Sequence, residues 1–202
     1  MKKVVYSVGY TAFEQEELIG ILKELSISCL IDVRSVPMSS YSPQYNKGVF
    51  DKVLKENGIR YRNYQEFGAR QDDAKYYSDD DYLDFDKYVK SELFISGMKK
   101  VEAGINLGFR FVFMCAEKDP INCHRAIMVT RAFSESGYEV FHIRPHKEKK
   151  YYLESQGDLE KRLVKLNGDN IDQLSLFEND EVRICRAYKK QNRMIGFRKE
   201  EE

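Results

Sequence analysis

Short runs of β-branched and aromatic residues alternate along the chain with stretches in which apolar residues recur every three or four positions. That alternation is the mark of βαβ units around a mainly parallel sheet. The runs fall at residues 4–8, 29–33, 109–115 and 138–143, with a more polar one at 60–64. After the first run, Phe13, Leu18, Ile21, Leu22 and Leu25 share a helical face, and Thr11 with Glu14 three positions on reads as a capping box. A second helix is expected over 49–56, stopped by Asn57 and Gly58. One or two more are expected over 80–107 before Gly108, and another over 123–136 before Gly137. Past Pro145 the pattern weakens into a Lys/Glu-rich stretch. The expected architecture is a single three-layer α/β domain over 1–145 with a mainly parallel sheet, and a C-terminal extension over 146–202 whose boundary falls within 146–170.

Composition narrows this. At 202 residues, 42% hydrophobic and 33% charged, the chain can bury one domain with an appendage but not two full cores. Its formal charge of +0 means that any nucleic-acid contact must come from a local patch. Cysteines at 29, 115, 123 and 185 have neither the density nor the spacing of a disulfide framework, so a reducing cytoplasm is expected. The amino terminus runs directly into a strand-like segment, and no window approaches a membrane span, so neither an export signal nor a membrane partner is expected.

In an open parallel sheet the functional crevice lies beyond the carboxyl ends of the strands. The sequence places Gly9, Tyr10 and Thr11 after the first strand, and Asp32, Arg34 and Ser35 at the end of the second. Cys115 and Glu117 follow the 109–115 run, and His142 lies near the end of the last. Separated polar segments should therefore meet at one edge.

Five ordered motifs give a family resemblance: Ser7 to Tyr10, Ile31 to Ser39, Gly58 to Tyr61, Phe67 to Arg70, and the Cys115-Ala116-Glu117 to Cys123-His124-Arg125 stretch. Together they resemble the family called domain of unknown function 488, over about residues 4–144. The resemblance implies a compact α/β domain with a polar edge site, and no assigned chemistry.

The residues at that edge suggest roles. Asp32 and Arg34 share a strand face and either pair with each other or hold a phosphate or hydroxyl-bearing substrate; a site role is expected. Cys123 precedes His124 and Arg125 at an expected helix start, where the dipole and a nearby cation favour a thiolate. The expected catalytic set is Asp32, Glu117, Cys123 and His124, and the phosphate-binding set is Gly9, Tyr10, Arg34, Ser35, Arg70 and Arg125. No cofactor is expected. A metal is set aside because adjacent Cys123 and His124, with a wide gap to Cys115, do not match usual zinc spacings.

Three classes remain open: a hydrolase or transferase on a phosphate-containing substrate, a binding module that yields no product, and a sulfurtransferase. The last follows a partial similarity to rhodaneses, in which a cysteine ends a strand as Cys115 does; it predicts a persulfide on Cys115.

Residues Gln173, Leu174, Ser175, Leu176 and Phe177 resemble the peptide by which bacterial polymerases and repair proteins dock onto the sliding clamp. Gln173 would fix register while Leu174, Leu176 and Phe177 fill pockets. This resemblance implies DNA repair or replication and makes the clamp and a nucleotide or nucleic acid the expected partners. Residues 34–70 interleave Arg and Tyr as a nucleic-acid surface would. Seven aspartates lie between Asp72 and Asp86, read as caps and solvated loop, while residues 182–199 carry seven Lys/Arg and no acid, a phosphate grip if exposed.

Overall fold

The computed structural model describes residues 3–168 and 179–199; the clamp-like peptide 173–177 lies outside them. Strands β1 (Val4–Gly9), β2 (Cys29–Asp32), β3 (Arg60–Asn63), β4 (Phe111–Cys115), β5 (Glu139–His146) and β6 (Lys150–Ser155) form one sheet in the order β3-β2-β4-β1-β5-β6. Every neighbouring pair is parallel except β5 with β6.

Alternation along β4 shows why the sheet is buried on both faces. Phe111, Phe113 and Cys115 belong to one core, Val112 and Met114 to the other. Helices α1 (Gln15–Glu24) and α2 (Lys47–Glu56) cover the second face with Leu18, Leu22, Phe50 and Leu54. The first face carries α3 (Phe85–Tyr88), α4 (Glu92–Asn106), α5 (Arg131–Glu135), α6 (Gln156–Leu166) and α7 (Asp180–Ile195). The result is a three-layer α/β arrangement, and no helix among the described residues is long and apolar enough to cross a membrane.

Gly58, Gly108 and Gly137 adopt φ of 75°, 90° and 86° after α2, α4 and α5, so each stops its helix as the sequence predicts. The capping box does not form. Thr11 Oγ1 instead donates to the Ala116 carbonyl at 2.6 Å, residues Tyr10–Ala12 make a 3-10 turn, and α1 starts after an extended Glu14. A tertiary acceptor has outcompeted the local amide. The helix expected over 123–136 opens as a wide π-type turn, Arg125–Thr130, before α5.

Beyond Pro145 the chain stays on the sheet: β6 pairs with β5, and Leu159, Leu163, Val164, Ala187 and Tyr188 join the core under β4. The weak apolar pattern there has a polar counterpart. Ser7 Oγ meets His142 Nδ1 at 2.7 Å, and His142 Nε2 meets Gln156 Oε1 at 3.0 Å. Gln156 Nε2 then donates to Tyr188 Oη at 2.6 Å, which donates to Glu160 at 2.9 Å. This buried thread runs from β1 through β5 to α6 and α7, so His142 is a core residue and not part of the edge.

The acidic stretch and the basic end are partners. Arg193 pairs with Asp80 at 3.1 Å, Arg198 donates to the Asp80 carbonyl and Lys199 to that of Asp72, while Asp73 and Asp84 cap short helical turns. These three cations of the expected phosphate grip are thus engaged with the 72–81 loop.

Candidate functional site

Because β4 lies between β1 and β2, the carboxyl ends of all three strands are adjacent, with Gly9 in register with Cys115 and Asp32 with Met114. The 116–122 loop that follows β4 is held from three sides. Thr11 bonds Ala116, Gln191 of α7 donates to the Ile121 carbonyl at 3.0 Å, and Asp119 takes Arg144 and Arg162, which also share Glu154. Residues after Pro145 therefore fix the loop on which the site is built. Gly9 allows the closest approach: a Cβ there would stand 1.9 Å from the Glu117 carbonyl oxygen. Its expected ligand role is thus one of backbone clearance.

The loop returns Cys123 and His124 to the end of β4. Glu117 Oε2 lies 2.9 Å from Cys123 Sγ and 3.1 Å from Cys115 Sγ, and His124 Nδ1 lies 4.0 Å from each sulfur. His124 Nε2 is 3.0 Å from the Val33 carbonyl, which can only accept, so Nε2 carries a proton. Both thiols are buried, whereas Glu117 is exposed as a residue and turns its carboxyl inward.

The sulfurs are electrostatically unequal. The hydrogen bond to Cys123 and burial hold the Cys115 thiol well above its ordinary range. Burial opposes the Cys123 thiolate too, but the Cys115 hydrogen bond and the charges of Arg125 and His124 outweigh it and hold Cys123 well below. Burial and the Cys123 charge push the Glu117 carboxyl up; His124 is also raised, its burial outweighed by Cys123 and the Val33 carbonyl. Protons are therefore shared among four groups within bonding reach.

A cavity of about 400 Å³ opens onto this cluster, lined by Cys115, Glu117, Cys123 and His124 at the strand ends and by Tyr10, Arg34, Ser35 and Arg70 at the rim. Seven of the ten expected site residues thus converge on one cavity with Cys115 beside them, and Gly9, Asp32 and Arg125 do not line it. Asp32 is fully buried, its carboxylate bound by the Arg34 fork and by Tyr61 Oη at 2.6 Å. The expectation of a catalytic role gives way to a structural ion pair, because every strong contact of that carboxylate is internal. Arg34 lines the cavity but is spent on the same pair and on the Tyr45 carbonyl at 2.7 Å, and its Nη1 donates to Tyr10 Oη at 3.5 Å.

Arg125 is corrected likewise. It is 1% exposed beneath the loop, donates to the Glu117 carbonyl at 2.7 Å, and supports the cluster by charge instead of holding a phosphate. Arg70 is exposed at the rim, its guanidinium 4.8 Å from the Phe197 ring centroid and paired with no carboxylate among the described residues. Ser35 Oγ accepts from the Arg70 amide at 2.9 Å and fixes that turn. Ile195 and Phe197 also line the cavity, which the sequence did not suggest because they arrive from the far end of the chain.

The spacing argument against a metal does not survive folding. Although seven residues separate Cys115 from Cys123, the returning loop brings the ligand atoms of Cys115, Cys123 and His124 within 4.8 Å of one another.

Among known families, the one described as domain of unknown function DUF488 matches residues 14–132. No curated protein and no solved structure matches the chain.

Proposed function

The chain belongs to the DUF488 family, and from that premise we propose that its edge cavity is the reactive centre of a hydrolase or transferase acting on a phosphate-containing substrate, a nucleotide or a nucleic-acid end. One observation carries the reading. Two thiols, an imidazole and a carboxyl stand together at the strand ends, while the rim presents Arg70 over Phe197. A guanidinium without a carboxylate partner offers phosphate a two-point contact, and the aromatic neighbour offers a base a stacking face. Glu117 and His124 are the acid/base pair, both in contact with the cluster. A sulfurtransferase would need donors around the Cys115 sulfur; the Glu117 carboxyl at 3.1 Å takes that place.

The proposal extends to DNA repair or replication through peptide 173–177, which would tether the domain to a sliding clamp. Isothermal titration of nucleoside phosphates and a short single strand into the whole chain tests the pocket reading. Arg70→Ala should weaken binding at least about tenfold, about 1.4 kcal/mol, while leaving the unfolding midpoint in place. No binding by the wild-type chain at millimolar ligand would overturn the proposal.

A further inference from the structure

Cys115 Sγ, Cys123 Sγ and His124 Nδ1 form, we propose, a binding site for one zinc-class divalent cation. The inference rests on the reading of the cavity as a reactive centre and names what arms it. The three ligand atoms lie within 4.8 Å of one another, and each sulfur is 4.0 Å from Nδ1. Tetrahedral zinc with its usual bond lengths sets S···N and S···S separations of about 3.5–3.8 Å. Changes of a few tenths of an ångström in side-chain position therefore close the sulfur-to-nitrogen gaps.

Three further features fit a metal ligand set. The Val33 carbonyl fixes the proton of His124 on Nε2, so the Nδ1 lone pair faces the sulfurs, as an outer hydrogen bond does for ligating histidines. Both thiols are buried, so an ion there exchanges few ligands with bulk water. Glu117 contacts both sulfurs from outside the three-atom set and is placed to accept a proton from a water bound on the cavity side. Two thiolates with an imidazole suit zinc or cobalt far better than magnesium or calcium, which take oxygen. On binding, the protons that the two sulfurs share with Glu117 and His124 pass to solvent, leaving both sulfurs as thiolates; the divalent ion and two thiolates leave the unit neutral. Three protein ligands leave a fourth position for water or substrate, the pattern of catalytic and not of structural zinc.

The test uses the whole chain, treated with chelator under reducing conditions and then titrated with cobalt(II). One equivalent should bind, with a thiolate-to-cobalt charge-transfer band that zinc(II) abolishes. Cys115→Ser, Cys123→Ser and His124→Gln should each lower affinity at least about tenfold, whereas Cys29→Ser and Cys185→Ser leave the band unchanged. As buried-thiol variants can misfold, wild-type protein supplies a second readout: zinc(II) should shield Cys115 and Cys123 from alkylation while exposed Cys185 reacts as before. Absence of a charge-transfer band in the wild-type chain, or a band that persists in folded Cys115→Ser/Cys123→Ser protein, overturns the inference. A chain that binds nucleotide but no metal overturns the inference and leaves the pocket reading standing; metal without nucleotide does the reverse.

Discussion

Gly9→Ala should destabilise the protein by about 2–4 kcal/mol, although its backbone angles, φ −99° and ψ 115°, are open to any residue. The cause is steric. The new Cβ would meet the Glu117 carbonyl oxygen at 1.9 Å and its carbon at 2.8 Å, so β1 or the loop must move by more than about 1 Å. If the loop lifts, the 2.7 Å bond from Arg125 Nη1 to that oxygen breaks, and this buried guanidinium already has Nε without a partner. Losing a hydrogen bond to a buried charge costs about 1.5–3 kcal/mol, and overpacking adds about 1–3. The opposing gain from a stiffer unfolded chain is only about 0.4–1 kcal/mol. Urea unfolding should show the midpoint falling by roughly 1 M, taking a slope of about 2–3 kcal/mol per molar. Gly20→Ala is the control: in α1, with nothing within 4 Å of its Cβ, it should stabilise by about 0.5–1 kcal/mol. A Gly9→Ala unfolding free energy within about 0.5 kcal/mol of wild type would refute the close approach that fixes the loop.

Acid should weaken the fold through His142. Burial first, then the Arg125 charge, depress its pKa to about 3 against an ordinary 6.5, so the native state binds the proton less well than the unfolded one. The stability it supplies is full above about pH 6.5 and is lost as pH falls toward 3; between pH 7.5 and 5 the loss is about 2 kcal/mol. Urea midpoints against pH should show that slope and His142→Gln should flatten it; a slope unchanged in the variant would reject the assignment. For the clamp peptide, Leu176→Ala/Phe177→Ala should cut affinity for a bacterial sliding clamp at least about tenfold, measured by surface plasmon resonance, without moving the unfolding midpoint. Equal affinity of the variant, or loss of its fold, would make these two side chains ordinary packing residues.

Periodicity carried most of the fold. Five of six strands and the stops of α2, α4 and α5 were readable because β-branched runs and helix-ending glycines are local signals. The sixth strand was not, since β6 and α6 are held by Arg144, Glu154, Arg162 and the Ser7–His142–Gln156 thread, contacts between positions that no local period connects. The edge site was legible at strand ends for the same reason that the strands were. The internal pairing of Asp32 with Arg34 was one of two readings the sequence left open and was not the one preferred, while the burial of Arg125 and the return of Cys123 and His124 to Cys115 were missed. The last two depend on how the 116–122 loop folds back, and that is set by Gly9, Gln191 and Arg162 far away in sequence.

On the proposed function, the cavity at the ends of β1, β2 and β4 is where this protein does its chemistry. A crystal structure of the whole chain soaked with a nucleoside monophosphate tests it most directly. Ligand density should fill the cavity, with the phosphate against Arg70 and the base against Phe197. Ligand density confined to another surface, with the cavity holding only solvent, would contradict it.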